Sequence, residues 1–150
     1  MSEPLSVETV LVPVDGSDES VTAIEYAVAI AEKYEASVHV VHVLGEELVR
    51  GIETDTIDRE AVASDTEAFA RTAAETAAGT DVEVTSSSAY GFSTTQKTRH
   101  PGSAVLDCAE EVDADFLVIP REPSTDGPGD VLERAAEYVL LYASQPVLST

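Results

Sequence analysis

The chain is nearly devoid of cysteine. Cys108 is the only one in 150 residues, so no disulfide can form within the chain and the cysteine pattern of an oxidising compartment is missing. Val105, Ala109 and Val112 share the predicted helical face of Cys108. This pattern favours a buried structural thiol over a reactive one.

Positive charge is equally scarce. Eight basic side chains, including only two lysines (Lys33 and Lys97), face 29 acidic ones, giving a formal net charge of −21. Such a surface repels nucleic-acid phosphates and anionic membranes, so we expect neither as a partner. This acid excess suggests a salt-loving host. In molar salt a Debye length of roughly 3 Å screens the self-repulsion, whereas at low salt the charge should destabilise the fold.

Long apolar runs are also missing. None approaches the roughly 20 residues that span a bilayer, and the N-terminus has no basic region followed by an apolar stretch. We therefore expect a cytoplasmic protein. The composition is 43% hydrophobic, which argues against disorder, and 150 residues suit one domain over 1–150.

The sequence alternates short β-branched runs with longer segments of helical period. This order predicts a single-domain α/β fold: a doubly wound, five-stranded parallel sheet with helices on both faces. We predict strands at 9–14, 37–44, 81–89, 115–119 and 146–148. The predicted helices cover 18–35, 58–78, 101–114 and 131–143, with polar connections at 45–57 and 91–100.

Four segments in order give the chain a resemblance to a known family. They are Pro13–Ser17, His42–Val43, Ala109–Ile119, and Ala136–Val139 with the closing Gln145–Leu148. Together they resemble the universal stress proteins, whose sheet is of the adenine-nucleotide α-hydrolase type. The resemblance implies a homodimer whose last strands, here around 147–150, pair across a two-fold axis.

The resemblance also locates a phosphate site, and the chain departs from it there. Nucleotide-binding members carry Gly, two residues, Gly, nine residues, Gly, then Ser or Thr. Here the same spacing holds Pro120, Pro123, Glu133 and Arg134. Each proline removes a backbone N–H. Asp130 and Glu133 have capping-box spacing and would occupy the helix donors that a phosphate needs. We therefore do not expect tight ATP binding.

The nucleoside half of the implied site is better preserved. The resemblance places adenosine at Pro13, Val14, Asp15, Val43 and Ile119. Val43 and Ile119 could sandwich a base, and Asp15 could accept a ribose hydroxyl or help to hold a cation. The alternative is that Val43 and Ile119 are ordinary core residues and that Asp15 starts a turn.

Three further residues complete the candidate nucleotide set. Arg121 and Arg134 could present guanidinium groups to an anion, or could pair with neighbouring glutamates. Ser17 can cap the first helix. We expect no cofactor, with ATP or another adenine nucleotide as the alternative.

Other chemistries find little support in the sequence. His39 and His42 lie three residues apart on a predicted strand, so they point to opposite faces and cannot share a metal ion. No serine or cysteine has an evident adjacent base. We expect neither a catalytic residue nor a metal site, and we do not expect an enzyme.

The expected function is regulatory: the protein binds an unknown partner protein during stress, without turnover. One alternative is a switch gated by ATP or AMP. Another is an enzyme acting slowly on small adenylates, with activity that depends on Asp15.

Overall fold

The computed structural model describes residues 6–15, 18–90, 100–120 and 129–150. Strands and helices follow one another in these ranges, and two helices lie between β2 and β3. In chain order they are β1 (Thr9–Val14), α1 (Asp18–Tyr34), β2 (Ser37–Leu44), α2 (Glu46–Glu53), α3 (Arg59–Thr76), β3 (Val84–Tyr90), α4 (Pro101–Glu111), β4 (Phe116–Ile119), α5 (Gly129–Tyr142) and β5 (Val147–Ser149).

The five strands form one sheet in the order β3-β2-β1-β4-β5. Every neighbouring pair is parallel. The chain starts at the centre, winds outward through β2 and β3, and then returns to β4 on the other side of β1. This reversal makes the sheet doubly wound, as the alternating pattern predicts.

Side chains alternate between two cores, one on each face of the sheet. Val10, Val12 and Val14 pack beneath α1 and α3. Leu11 and Leu117 pack with the residues of α4 and α5 on the opposite face. All five are fully buried. Central strands covered on both faces must be apolar at every position, which explains their continuous hydrophobic sequence.

The connection at 45–57, predicted to be polar, contains the helix α2. Its apolar residues Val49 and Ile52 are buried with Leu44 and Val62 in a small third cluster. Ile57 lies so close to Gly51 that a larger side chain there would collide with it. The prediction missed this helix because two apolar residues one turn apart are a weak periodic signal. The helix is stabilised mainly by the tertiary contacts of those residues.

Two element boundaries have clear physical causes. The helix α4 ends at Glu111 because Asp113 adopts a left-handed backbone (φ 54°), and Ala114 N–H then donates to Ala109 O at 2.8 Å. At its start, His100 Nδ1 accepts from Gly102 N–H at 3.0 Å, and Pro101 occupies the first turn as predicted. The rest of the predicted loop, 91–99, lies outside the described residues.

Candidate nucleotide site at the sheet switch point

The candidate site lies where the winding direction of the sheet reverses. β1 and β4 are neighbours, with pairs at Val10↔Phe116 and Leu11↔Leu117. The chain leaves β1 toward one edge of the sheet and reaches β4 after crossing back. Ligands of open α/β sheets bind at such a switch point, outside the carboxyl ends of the strands. The ends of β1, β2 and β4 therefore define the site.

Asp15 follows β1 directly and is held by the first turn of α1. Ser20 Oγ–H donates to Asp15 Oδ1 at 2.9 Å, while Asp15 N–H donates to Ser20 Oγ at 3.1 Å. Both residues are buried, with Asp15 6% exposed. This reciprocal pair fixes the carboxylate at the end of β1. Ser20 was not predicted as a site residue, because its spacing of five residues from Asp15 matches no local motif.

His42 is a second residue of the site that the sequence did not predict. The β1–β2 register places it beside Val14, and it is 2% exposed. Its Nδ1 lies 2.9 Å from Thr66 Oγ1 of α3. The Thr66 hydroxyl is also within donating distance (3.1 Å) of Val62 O, which favours Nδ1–H as donor to Thr66.

The charge state of His42 depends on its surroundings. Burial lowers the pKa of His42, while the carboxylates of Asp65 and Asp15 act against that shift. Burial is the larger effect, so the neutral ring is favoured near neutral pH. The candidate site thus combines a buried carboxylate with a neutral imidazole.

Val43 and Ile119 both lie in the core beneath α4 and α5. They are 1% and 0% exposed, and Val14 of β1 is also fully buried. Pro13 is buried as well. The structure therefore gives Val43 and Ile119 the packing of ordinary core residues. A base sandwiched between them stays a prediction.

The phosphate half of the site is only partly described. Pro120 directly follows β4 and is buried. Ser17, Arg121 and Pro123 lie outside the described residues. Glu133 and Arg134 belong to α5, but their side chains are outside the described part of the structure.

The two strand histidines occupy opposite faces, as predicted. His42 contacts Thr66 of α3, whereas His39 lies between Thr85 and Ser87 of β3. Cys108 is buried, also as predicted. Within 6–15, 18–90, 100–120 and 129–150, no group of three or more potential ligands is arranged to hold a metal. Among the helices in these same ranges, none combines the length and the apolar composition that a membrane span requires.

One arrangement was not anticipated. Ser87 Oγ lies 2.8 Å from His39 Nε2, so a serine does have an adjacent potential base. The β2–β3 register, with His39 opposite Thr85 and Val41 opposite Ser87, creates this contact. The residues are 48 positions apart in sequence, which hides the pairing from any local motif.

The fold and the site define a class: a doubly wound α/β domain with an acidic residue at the end of its first strand. The model of the universal stress protein family matches residues 6–149. The chain therefore belongs to the universal stress protein family. No curated protein is significantly similar to it in sequence.

Solved structures of universal stress proteins share the fold. The protein UspA from Lactobacillus plantarum is 19% identical with a TM-score of 0.70, over 97% of this chain and 98% of that one. A universal stress protein in complex with cAMP is 20% identical with a TM-score of 0.68, over 97% and 98%. One from Archaeoglobus fulgidus in complex with dAMP is 22% identical with a TM-score of 0.62, again over 97% and 98%.

Proposed function

We propose that this universal stress protein is a non-enzymatic cytoplasmic regulator that binds a partner protein and does not bind ATP tightly. Pro120 carries the part of the proposal that concerns ATP. It is buried directly after β4, where the family's first phosphate-binding glycine would lie, and it has no N–H to donate. A lost donor costs about 1–3 kcal/mol of binding free energy, or about tenfold in affinity for each 1.4 kcal/mol.

The test is a gain of binding in the presence of molar KCl. The triple variant Pro120→Gly, Pro123→Gly, Glu133→Gly restores the glycine positions. We expect no measurable ATP binding by the wild type in calorimetry and measurable binding by the variant, because backbone donors return. Pro146→Gly, at an exposed proline beyond α5, is the control and should change nothing. Micromolar ATP binding by the wild type would contradict the proposal.

A second candidate is a site for a nucleoside monophosphate. The relatives in complex with cAMP and dAMP favour it, as does the buried Asp15 at the end of β1. A monophosphate needs fewer donors than ATP does. The test is AMP binding by the wild type and by Asp15→Asn. If the wild type binds AMP but not ATP, and Asp15→Asn loses AMP binding, then an AMP-sensing function is favoured over a function in partner binding alone.

We further propose that the protein forms a homodimer through β5. Leu117 N–H donates to Pro146 O and Thr150 N–H to Ile119 O, both at 3.0 Å. The backbone groups of Val147 and Ser149 therefore point away from β4. Leu141 and Tyr142 at the end of α5 are 76% and 65% exposed. β5 is the edge strand of the sheet in the described part of the chain, and such an edge, together with exposed apolar side chains at the end of the preceding helix, favours pairing with a second copy.

Ser149→Pro tests the dimer because it removes an outward donor and leaves the Thr150 bond to β4 in place. Sedimentation equilibrium in molar KCl should give a dimer for the wild type and a monomer for Ser149→Pro. Ser144→Pro, a substitution at an exposed position outside the strand, is the control for proline itself. A monomeric wild type would contradict the proposed assembly.

A further inference from the structure

A chain of hydrogen-bonding groups crosses from β2 to the sheet edge at β3. His39 Nε2 lies 2.8 Å from Ser87 Oγ, and His39 Nδ1 lies 2.7 Å from Thr85 Oγ1. The imidazole therefore bridges two hydroxyls through its two ring nitrogens. A hydroxyl on one nitrogen and an orienting acceptor on the other is the arrangement of an activated nucleophile.

The protonation state of His39 suits this arrangement. His39 is 7% exposed, and burial lowers its pKa from 6.5. The neutral ring has one N–H. If Nδ1–H donates to Thr85 Oγ1, then Nε2 accepts from Ser87 O–H. In that tautomer Nε2 is a base in contact with the serine proton.

The neighbouring serines make Ser87 distinctive. Ser86 and Ser88 alternate to the opposite face, beside Val40 and His42 in the register. Both are exposed, whereas Ser87 is only partly exposed. A reagent that selected serines by exposure alone would therefore modify Ser86 and Ser88 before Ser87.

We propose that Ser87 is a nucleophilic serine that accepts a single acyl group, without turnover, from an activated ester or thioester, with His39 as its general base and Thr85 positioning the imidazole. Ser87 Oγ attacks the acyl carbonyl carbon while its proton passes to His39 Nε2. The bond from carbon to the leaving oxygen or sulfur then breaks. The leaving group departs with the bonding electron pair and takes the proton from Nε2. The products are an O-acyl serine and the free alcohol or thiol.

The test uses p-nitrophenyl acetate and the full chain in molar KCl. We expect release of one equivalent of p-nitrophenol and one acetyl group on Ser87, located by peptide mass spectrometry. Ser87→Ala should abolish this labelling, and the matched variant Ser88→Ala should retain it. His39→Gln should slow it by about 100-fold or more. Circular dichroism confirms that each variant is folded.

The pH profile separates base catalysis from a structural effect and does not depend on how well a His39 variant folds. Labelling should increase as His39 loses its proton, with a midpoint below 6.5. Thr85→Val changes an exposed residue and removes the partner of Nδ1. Because the imidazolium then loses a hydrogen bond, the midpoint should move to still lower pH.

Three results would overturn the proposal. One is no acetylation of Ser87. Another is an acetyl group on Cys108, whose Sγ lies 3.8 Å from Ser87 Oγ. The third is labelling of Ser86 and Ser88 as fast as that of Ser87, which would mean that exposure rather than His39 sets the rate.

Discussion

β2 carries two buried histidines whose surroundings differ. His42 is 2% exposed and lies edge-on to Phe69, with ring centroids 4.9 Å apart. His39 is 7% exposed and lies near the sheet edge between two hydroxyls of β3. Burial lowers the pKa of both, but only for His42 do carboxylates, those of Asp65 and Asp15, act against the shift.

The surroundings of a histidine in β2, and therefore its chemical role, depend on the face of the strand that carries it. His42 is electrostatically linked to Asp15 and so to the candidate nucleotide site. His39 is linked to Ser87 and so to the edge of the sheet. Two residues in one strand thus belong to separate sites, because successive side chains alternate between faces.

Removing salt should unfold the protein and so abolish the difference between the two histidines, and this is the largest effect that we expect. With a net charge of −21, self-repulsion at low ionic strength should unfold the sheet together with the helices on both of its faces. Circular dichroism during dialysis from molar KCl into dilute buffer measures it. A transition temperature that does not change with salt would contradict the expectation that salt stabilises the fold by screening its negative charges.

Substitution by alanine should separate the two histidines by stability. His42→Ala removes an interior ring packed on α3 and should cost about 3 kcal/mol of unfolding free energy. His39→Ala leaves the exposed Thr85 hydroxyl open to water and should cost about 1–2 kcal/mol. Urea titration in molar KCl measures both. Equal costs would show that their environments do not differ energetically.

The pH dependence of stability follows from both lowered pKa values. Below 6.5, the reference value for the unfolded chain, unfolded histidines bind protons that the folded state does not bind. The unfolding free energy therefore falls as the pH drops from 6.5 through the lower pKa values of the folded state. The stability contributed by the neutral histidines is fully present above pH 6.5. His39→Gln and His42→Gln should each flatten that part of the curve. A stability that rose on acidification through this window would have the wrong sign.

The smallest expected effect concerns Asp65, one of the two carboxylates that act on His42 but not on His39. Asp65 is exposed on α3, and its charge raises the pKa of His42. Asp65→Asn should therefore lower the pKa of His42 further and leave that of His39 unchanged, as followed by NMR titration of the ring protons. Glu67→Gln, an exposed neighbour on the same helix, is the matched control. An equal shift at both histidines would remove the distinction between the two faces.

The central fold was predictable because its signals are local. β1 and β2 have the predicted bounds, since a central strand covered on both faces must be continuously apolar. The family was predictable from four ordered motifs, and the family match over 6–149 confirms it. The opposite faces of His39 and His42 follow from the two-residue period of a strand alone.

The rest depends on contacts between distant segments. The helix α2 is stabilised by Leu44 and Val62, which its own sequence does not reveal. The pair of His39 and Ser87 exists only because β3 pairs with β2 in one register. Asp15 was predicted as a site residue, but its partner Ser20 becomes evident only when the first turn of α1, which begins at Asp18, brings the Ser20 hydroxyl to the Asp15 carboxylate.

The most direct test of the central claim is the nucleotide content of the protein purified in molar KCl without added nucleotide. Heating the protein releases any bound nucleotide, which ion-pair chromatography then quantifies relative to the protein concentration. We predict far less than one ATP per chain, because Pro120 lacks the N–H that a phosphate would need. One ATP per chain would contradict the account and make the protein a nucleotide-gated switch.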